Sequence, residues 1–334
     1  MNVGIIGAGS IGQLLFHDLR LSDDVNPVFI DTRLPADALG TSFIFECCRE
    51  ADPSEKSYET TLEKHDEKKT VTEAYQGMVF PGEKTADQDL IIISVKANQC
   101  GKVLQSLKGY LPEHIPLVLL MNGMGIWEEA RTILPNPFWT GVTSRGAVHE
   151  GRIVYPRGNG TTYIGSPEHQ KPVQEIELLA RSIGAIISLR IEEEQLQKLL
   201  VNACINPITA LHQCKNREIA ATYINEAHEI FLEIYPVLKT LGLTVSADRA
   251  FDFVLTVAEK TGENDSSMAV DFKKQRPSEL DYILGYILKT GERLHKALPV
   301  TKNLYTILKK QEDSFQPPPL TSPKSLKETS KSKN

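Results

Sequence analysis

Residues 2–12 read NVGIIGAGSIG, an apolar run that breaks into glycines spaced G-x-G-x-x-G at Gly7, Gly9 and Gly12. Gly7 suits a tight bend out of a strand, Gly9 lets backbone approach a pyrophosphate, and Gly12 allows a following helix to pack closely. The flanking sequence agrees. VGIIG has the composition of a buried strand, IGQLLFHDLRL repeats its apolar residues at helical spacing, and PVFID is a second strand that ends at Asp31. Strand, glycine turn, helix and second strand make a βαβ unit, and the unpaired N–H groups at the helix start favour an anion. Gly7, Ala8, Gly9, Ser10, Ile11 and Gly12 are therefore expected to cradle the phosphates of a dinucleotide. A purely structural turn would not need three glycines in this register.

The end of the second strand leaves the choice of dinucleotide open. Asp31 suits a ribose 2′-hydroxyl, as in NAD(H), and repels a 2′-phosphate; Arg33 could pair with that phosphate, as in NADP(H). Either residue could instead be a solvated loop charge.

Two further apolar runs, DLIIISVK at 89–96 and PLVLLMNG at 116–123, read as buried parallel strands with VLQSLKGYL as a crossover helix. They lead into Lys96 and Asn122, where ligands of open α/β sheets collect. Between Asp31 and Asp89 the pattern blurs: the charged stretch READPSEKSYETTLEKHDEKKT reads as a solvated excursion or an edge element and is assigned no function. WTGVTS, RIVYP and TTYIG are short β-like runs, and the glycines and asparagine of GRIVYPRGNGTTYIG predict a hairpin. VQEIELLARSIG has helical spacing, and beyond about residue 190 helical patterns dominate through Lys310. The expected fold class is α/β: an N-terminal Rossmann dinucleotide-binding domain over 1–190 and an all-α C-terminal domain over 191–312. The remainder, 313–334, is rich in Pro, Ser and Lys and too polar to bury anything, so it is expected to be a disordered tail.

With 334 residues and 41% hydrophobic content the chain can fill two cores. A formal charge of -6 and a pI near 5.8 supply no basic footprint for nucleic acid and no polybasic patch for a membrane. No apolar run reaches the roughly 18 residues of a membrane span, and the N-terminus lacks the charged region of a signal peptide. Cys47, Cys48, Cys100, Cys204 and Cys214 are odd in number and lack zinc spacing, which fits a reducing, cytoplasmic setting. The histidines show no ligand spacing such as HExxH, so no metal is expected. Cys204 stands among apolar neighbours and reads as core packing.

The segment QLQKLLVNACINPITA places Lys198, Asn202 and Asn206 at four-residue intervals, on one face of an otherwise apolar helix. An ammonium in such surroundings is costly without a purpose. The stripe is either the helix's one wet face or the lining of a cavity; Pro207, which lacks an N–H, predicts that the helix kinks or stops there and favours the cavity.

GAGSIGQL, SVKANQ, MNGMG, KLLVNACINPITAL, ENDSSM and RPSELDYILGYIL occur in this order, and together they resemble the ketopantoate reductase (2-dehydropantoate 2-reductase) family over about residues 1–310, outside the charged stretch near 46–80. The resemblance implies a Rossmann domain followed by an all-α domain like the C-terminal domain of 6-phosphogluconate dehydrogenase. It also implies NADPH-dependent reduction of 2-dehydropantoate to (R)-pantoate, in pantothenate and coenzyme A biosynthesis. By the same pattern Lys198 is the proton donor, and Asn202, Asn206, Asn216 and Asn264 hold the substrate's polar groups, with Ser267 at its carboxylate. Glu279 matches the family's essential glutamate and is assigned to catalysis and to the cofactor side. Lys96, Asn122 and Ala147 join residues 7–12 as cofactor contacts, and Asn122 also lies near the reacting oxygen. The family usually presents a basic residue at the second strand's end, where this chain has Asp31, Thr32 and Arg33, so NAD(H) stays open beside NADP(H).

Hydride arriving at a ketone carbon leaves charge on its oxygen, which calls for a nearby proton donor. Burial of Lys198 and a neighbouring cation such as Lys96 would lower its pKa and make it a better acid. Glu279 has a second reading as a first-turn acid of a helix starting at Pro277 and Ser278, and ENDSSM has one as an inter-helix turn. Two alternatives to the family reaction stand: a paralogous reductase of another 2-keto acid, and a non-catalytic sensor of NADP(H). The helical half could also bury an apolar face against a second copy, as a homodimer.

Overall fold

The computed structural model describes residues 1–34, 41–50, 70–150, 153–157 and 160–315. In chain order the first half comprises β1 (Asn2–Ile6), α1 (Ser10–Arg20), β2 (Asn26–Asp31), β3 (Thr41–Glu50), β4 (Thr70–Pro81), β5 (Leu90–Ile93) and α2 (Ala97–Leu107). It continues with β6 (Leu117–Leu120), α3 (Ile126–Ile133), β7 (Phe138–Thr143), β8 (Gly146–Glu150), β9 (Ile153–Arg157), β10 (Thr162–Gly165), α4 (Gln174–Ser182) and β11 (Ile186–Ile187). The described residues after Ile187 carry helices alone: α5 (Ile191–His212), α6 (Glu218–Ala221), α7 (Ile224–Thr240), α8 (Ala247–Lys260), α9 (Ser267–Lys273), α10 (Leu280–Arg293) and α11 (Pro299–Asp313).

The strands form one sheet in the order β11-β10-β7-β6-β5-β1-β2-β4-β3-β9-β8. From β7 to β4 neighbouring strands are parallel, and β5 and β6 are buried at every residue, which is why both read as unbroken apolar runs. One face packs on α1 and α4 through Leu15, Phe16, Leu19, Ile176 and Leu179; the other packs on α2 and α3 through Cys100, Leu104, Leu107 and Ala130. A third core, around α5, fills the helical half. A Rossmann-like sheet followed by an all-helical unit is the expected architecture.

The predicted hairpin between RIVYP and TTYIG does not form. β10 pairs antiparallel with β7, from Thr162 opposite Thr143, while β9 pairs antiparallel with β8, from Arg157 opposite Gly146 to Ile153 opposite Glu150. The two pairings make one long bent hairpin of β7 and β8 against β9 and β10, and its outer part, β8 and β9, packs over α1. Gly160 marks the bend: a Cβ there would lie 2.3 Å from the backbone nitrogen of Arg145. Its purpose is close backbone approach, a use of glycine that resembles a turn signal in sequence. Arg145 fixes the bend to α1 through both carboxylate oxygens of Asp18, at 2.5 and 3.2 Å.

The flanks of the charged stretch are strands. β3 and β4 pair antiparallel from Thr41 opposite Val79 to Glu50 opposite Thr70, and β9 lies parallel on the other side of β3, so neither is an edge. Residues 51–69 and 316–334 lie outside the described residues, and with them most of the charged stretch and of the expected tail. Nor does the helix stop at Pro207: α5 runs through it to His212. One missing N–H is outweighed where the helix is packed by α7, α8, α9, α10 and α11.

Candidate active site

β1 sits between β2 and β5, so the chain leaves β1 in opposite directions across the sheet and a crevice opens beyond the carboxyl ends of β1 and β5. The glycine turn lies there. Gly7 has φ +116, and the Ser94 hydroxyl at the end of β5 donates to its carbonyl at 3.0 Å. A Cβ on Gly12 would come 1.8 Å from the Gly7 oxygen, so Gly12 serves the protein's own packing. A Cβ on Gly9 meets nothing within 4 Å, although Gly9 caps α1 at the mouth of the crevice. Packing does not require a glycine there, whereas a phosphate pressed against the backbone and the start of α1 would. The residues fit a dinucleotide.

Asp31 and Arg33, expected to argue for different cofactors, bond to each other. The guanidinium donates to both oxygens of Asp31, at 2.8 and 2.7 Å, and Arg33 is 88% exposed. The hydrogen bonds from Arg33 hold the Asp31 carboxyl below its usual range.

Beyond β5 and β6 the first half meets the second. Lys96 donates to the Pro277 carbonyl at 2.9 Å and pairs with Asp271 at 2.6 Å; Asn98 donates to the Ser278 carbonyl at 3.4 Å. Asn122 donates to Oε2 of Glu279 at 2.8 Å, and the Ala97 N–H approaches its other oxygen at 3.4 Å. Glu279 stands one residue before α10, but its side chain makes no cap; the Ser278 hydroxyl accepts from Leu280 N–H instead, at 3.2 Å. The capping reading is therefore replaced by a carboxylate turned across the cleft.

Lys198 lies half-buried on α5 and donates to the Thr143 carbonyl, at the end of β7, at 2.5 Å. Burial pushes its pKa down to about 8, against an opposing pull from the negative charge of Glu279. Of the two causes expected from sequence, burial is the one that lowers this pKa; Lys96 lies instead in an ion pair with Asp271. Glu279 is shifted up by its own burial, which the bonds from Asn122 and Ala97 and the charges of Lys198 and Lys96 only partly offset. An ammonium that releases its proton readily thus faces a buried carboxylate beside the crevice.

Asn202 is half-buried and Asn206 buried along α5 beyond Lys198. Asn216 is buried; its amide donates to the Thr261 hydroxyl at 2.9 Å, its N–H donates to the Asn264 carbonyl at 3.1 Å, and Oδ1 is left buried without a partner. The ENDSSM turn divides its labour. Ser266 caps α9 by accepting from Ala269 N–H at 3.1 Å and bonds Thr209 at 2.7 Å, while Asn264 and Ser267 are exposed. Ala147 stands apart on β8, where it packs against the core that contains Leu15, Phe16 and Leu19.

Residues 3–169 match the family model described as ketopantoate reductase PanE/ApbA, and residues 190–312 match the model of that family's C-terminal part. The 2-dehydropantoate 2-reductase of Salmonella typhi is 33% identical over 236 residues, covering 69% of this chain and 77% of that protein. The chain belongs to the ketopantoate reductase family. A probable 2-dehydropantoate 2-reductase from Bacillus subtilis has a similar structure, with TM-score 0.71 and 26% identity over 93% of this chain and all (100%) of that one. D-mandelate dehydrogenase, solved with NADH and anilino(oxo)acetate, shares the fold at TM-score 0.75 and 20% identity, covering 94% of this chain and 99% of that one.

Three contacts of this ketopantoate reductase site went unread in the sequence. Asp271 pairs with Lys96, the Thr143 carbonyl accepts from Lys198, and Glu312 bonds Ser278. Only Glu312 carried a signal, as a carboxylate in the last turn of a helix, where the macrodipole disfavours it.

Proposed function

We propose that this protein reduces 2-dehydropantoate to (R)-pantoate, the step towards pantothenate and coenzyme A, with NADPH as its preferred cofactor. Family membership supports the reaction class. The observation that carries the residue roles is that Lys198 and Glu279, from the helical half, stand within bonding or charge range of residues at the carboxyl ends of β5, β6 and β7.

Residues 7–12, with Lys96 and Asn122, would hold the dinucleotide, which supplies the hydride when bound. Arg33, exposed and tied among the described residues only to Asp31, would turn to the 2′-phosphate; Asp31 alone would favour NADH. Lys198 gives its proton to the ketone oxygen as charge develops there and regains one from solvent; its lowered pKa makes it the stronger acid. Glu279 keeps the amine charged below about pH 8 and orients Asn122 toward the reacting oxygen. Asn202, Asn206, Asn216, Asn264 and Ser267 are assigned to the substrate's hydroxyl and carboxylate, and Ala147 to the cofactor's far side.

The test is oxidation of NADPH, then NADH, by purified protein with ketopantoate. Absence of turnover with both would defeat the proposal. Because D-mandelate dehydrogenase shares the fold, other 2-keto acids belong in the same assay. Faster reduction of one of these would replace the substrate and leave the chemistry of Lys198 intact.

A further inference from the structure

Glu279 can face Asn122 only if the turn that carries it, Pro277 to Leu280, is held in place. From the first half it is gripped by Lys96 on the Pro277 carbonyl and Asn98 on the Ser278 carbonyl. From its own half it is gripped by the last helix. The Glu312 carboxylate, with a side chain only 9% exposed, accepts from Ser278 N–H at 2.7 Å and from the Ser278 hydroxyl at 2.6 Å through one oxygen, and from Lys309 at 3.2 Å through the other. Lys309 and the Tyr305 hydroxyl also bind Asp281, at 2.9 and 2.7 Å, one turn further into α10. Phe315, just past the end of α11, packs edge-on against Phe272 of α9 at 5.2 Å and pins the helix end.

We infer that Glu312 is a positioning residue: by clamping Ser278 it aims the neighbouring Glu279 carboxylate at Asn122 and Lys198. A carboxylate in the last turn of α11 works against the helix dipole, so its placement needs the compensation that the two bonds from Ser278 supply. Orientation of this kind matters steeply, because displacing a catalytic group by about 1 Å can cost roughly a hundredfold in rate. The effect on turnover rests on the reductase reading; the effect on Lys198 does not. Glu279 raises the pKa of Lys198 against burial, so a Glu279 that has swung away leaves the amine easier to deprotonate.

The experiment compares the full chain with Glu312→Ala, Glu312→Gln and Ser278→Ala. It measures steady-state reduction of ketopantoate and the pH dependence of Lys198 modification by an amine reagent, followed by mass spectrometry. Glu312→Ala is expected to lower kcat about tenfold with cofactor KM little changed, and to move the Lys198 midpoint to lower pH. Glu312→Gln, which still accepts from Ser278, should restore most of both. If Glu312→Ala does not fold, Ser278→Ala decides, with a smaller shift in the same direction. Unchanged Lys198 titration in the folded variants, with only a lower Tm, would overturn the inference. Wild-type protein that ignores ketopantoate, together with variants that still show the Lys198 shift, would sink the reductase reading and leave this one standing.

Discussion

The carboxylate of Glu279 accepts a hydrogen bond from Asn122 at 2.8 Å, joining residues 157 positions apart in the chain. The bond spans the cleft between the sheet and the helices, and the same carboxylate supplies the negative charge that Lys198 feels. Breaking that charge without changing the shape is therefore the most direct probe of the site. Glu279→Gln keeps the volume and an oxygen for Asn122, so turnover should fall about 10²-fold while Tm holds. Intact kinetics with a lowered Tm would return Glu279 to a structural role.

Lys198→Ala removes the proton donor and leaves the glycine turn untouched. Turnover should drop by about 10² to 10⁴, with dinucleotide affinity, measured by fluorescence titration, nearly unchanged. A folded variant with near-normal turnover would remove the lysine from the mechanism.

The pH profile follows from the same pair. Lys198 must be protonated to donate, so the reduction rate should be flat below its pKa and fall tenfold per unit above about pH 8. Because Glu279 raises that pKa, the break in Glu279→Gln should move to lower pH. A break that moves upward, or does not move, would contradict the assigned coupling.

Two glycines of the turn separate folding from binding. Gly12→Ala drives a methyl into the Gly7 carbonyl, where a Cβ would sit 1.8 Å away, and should lower Tm outright. Gly9→Ala meets open space and has φ −77, a value alanine accepts, so Tm should be unchanged while dinucleotide Kd rises at least about tenfold. Equal effects of the two on Tm would argue that Gly9 also serves packing.

Cofactor preference tests the Asp31–Arg33 pair. Arg33→Ala should weaken NADPH about tenfold and leave NADH unaffected, since only the 2′-phosphate would need the guanidinium. Asp31→Asn frees Arg33 and should favour NADPH further. If Arg33→Ala weakens both dinucleotides equally, the residue does not read the phosphate.

The βαβ opening, the buried strands β5 and β6, and the change to helices near residue 190 were legible in the sequence. Each depends on local properties: glycine's freedom at Gly7, unbroken apolar runs, and apolar residues at helical spacing. The stripe of Lys198, Asn202 and Asn206 was visible for the same reason, as a matter of periodicity on one helix. What those residues face was not. Glu279 follows a Pro-Ser pair that locally reads as a helix cap, and the packing of α10 against α2 turns it to Asn122. Gly160 resembles a hairpin turn because close backbone approach and chain reversal ask the same thing of a residue. The pairing of Lys96 with Asp271, of Asp31 with Arg33 and of Glu312 with Ser278 likewise arises in the folded chain. Periodicity determines which side chains share a surface; which surfaces meet depends on the packing of whole elements, and that is where the partners of the charges in this cleft were decided.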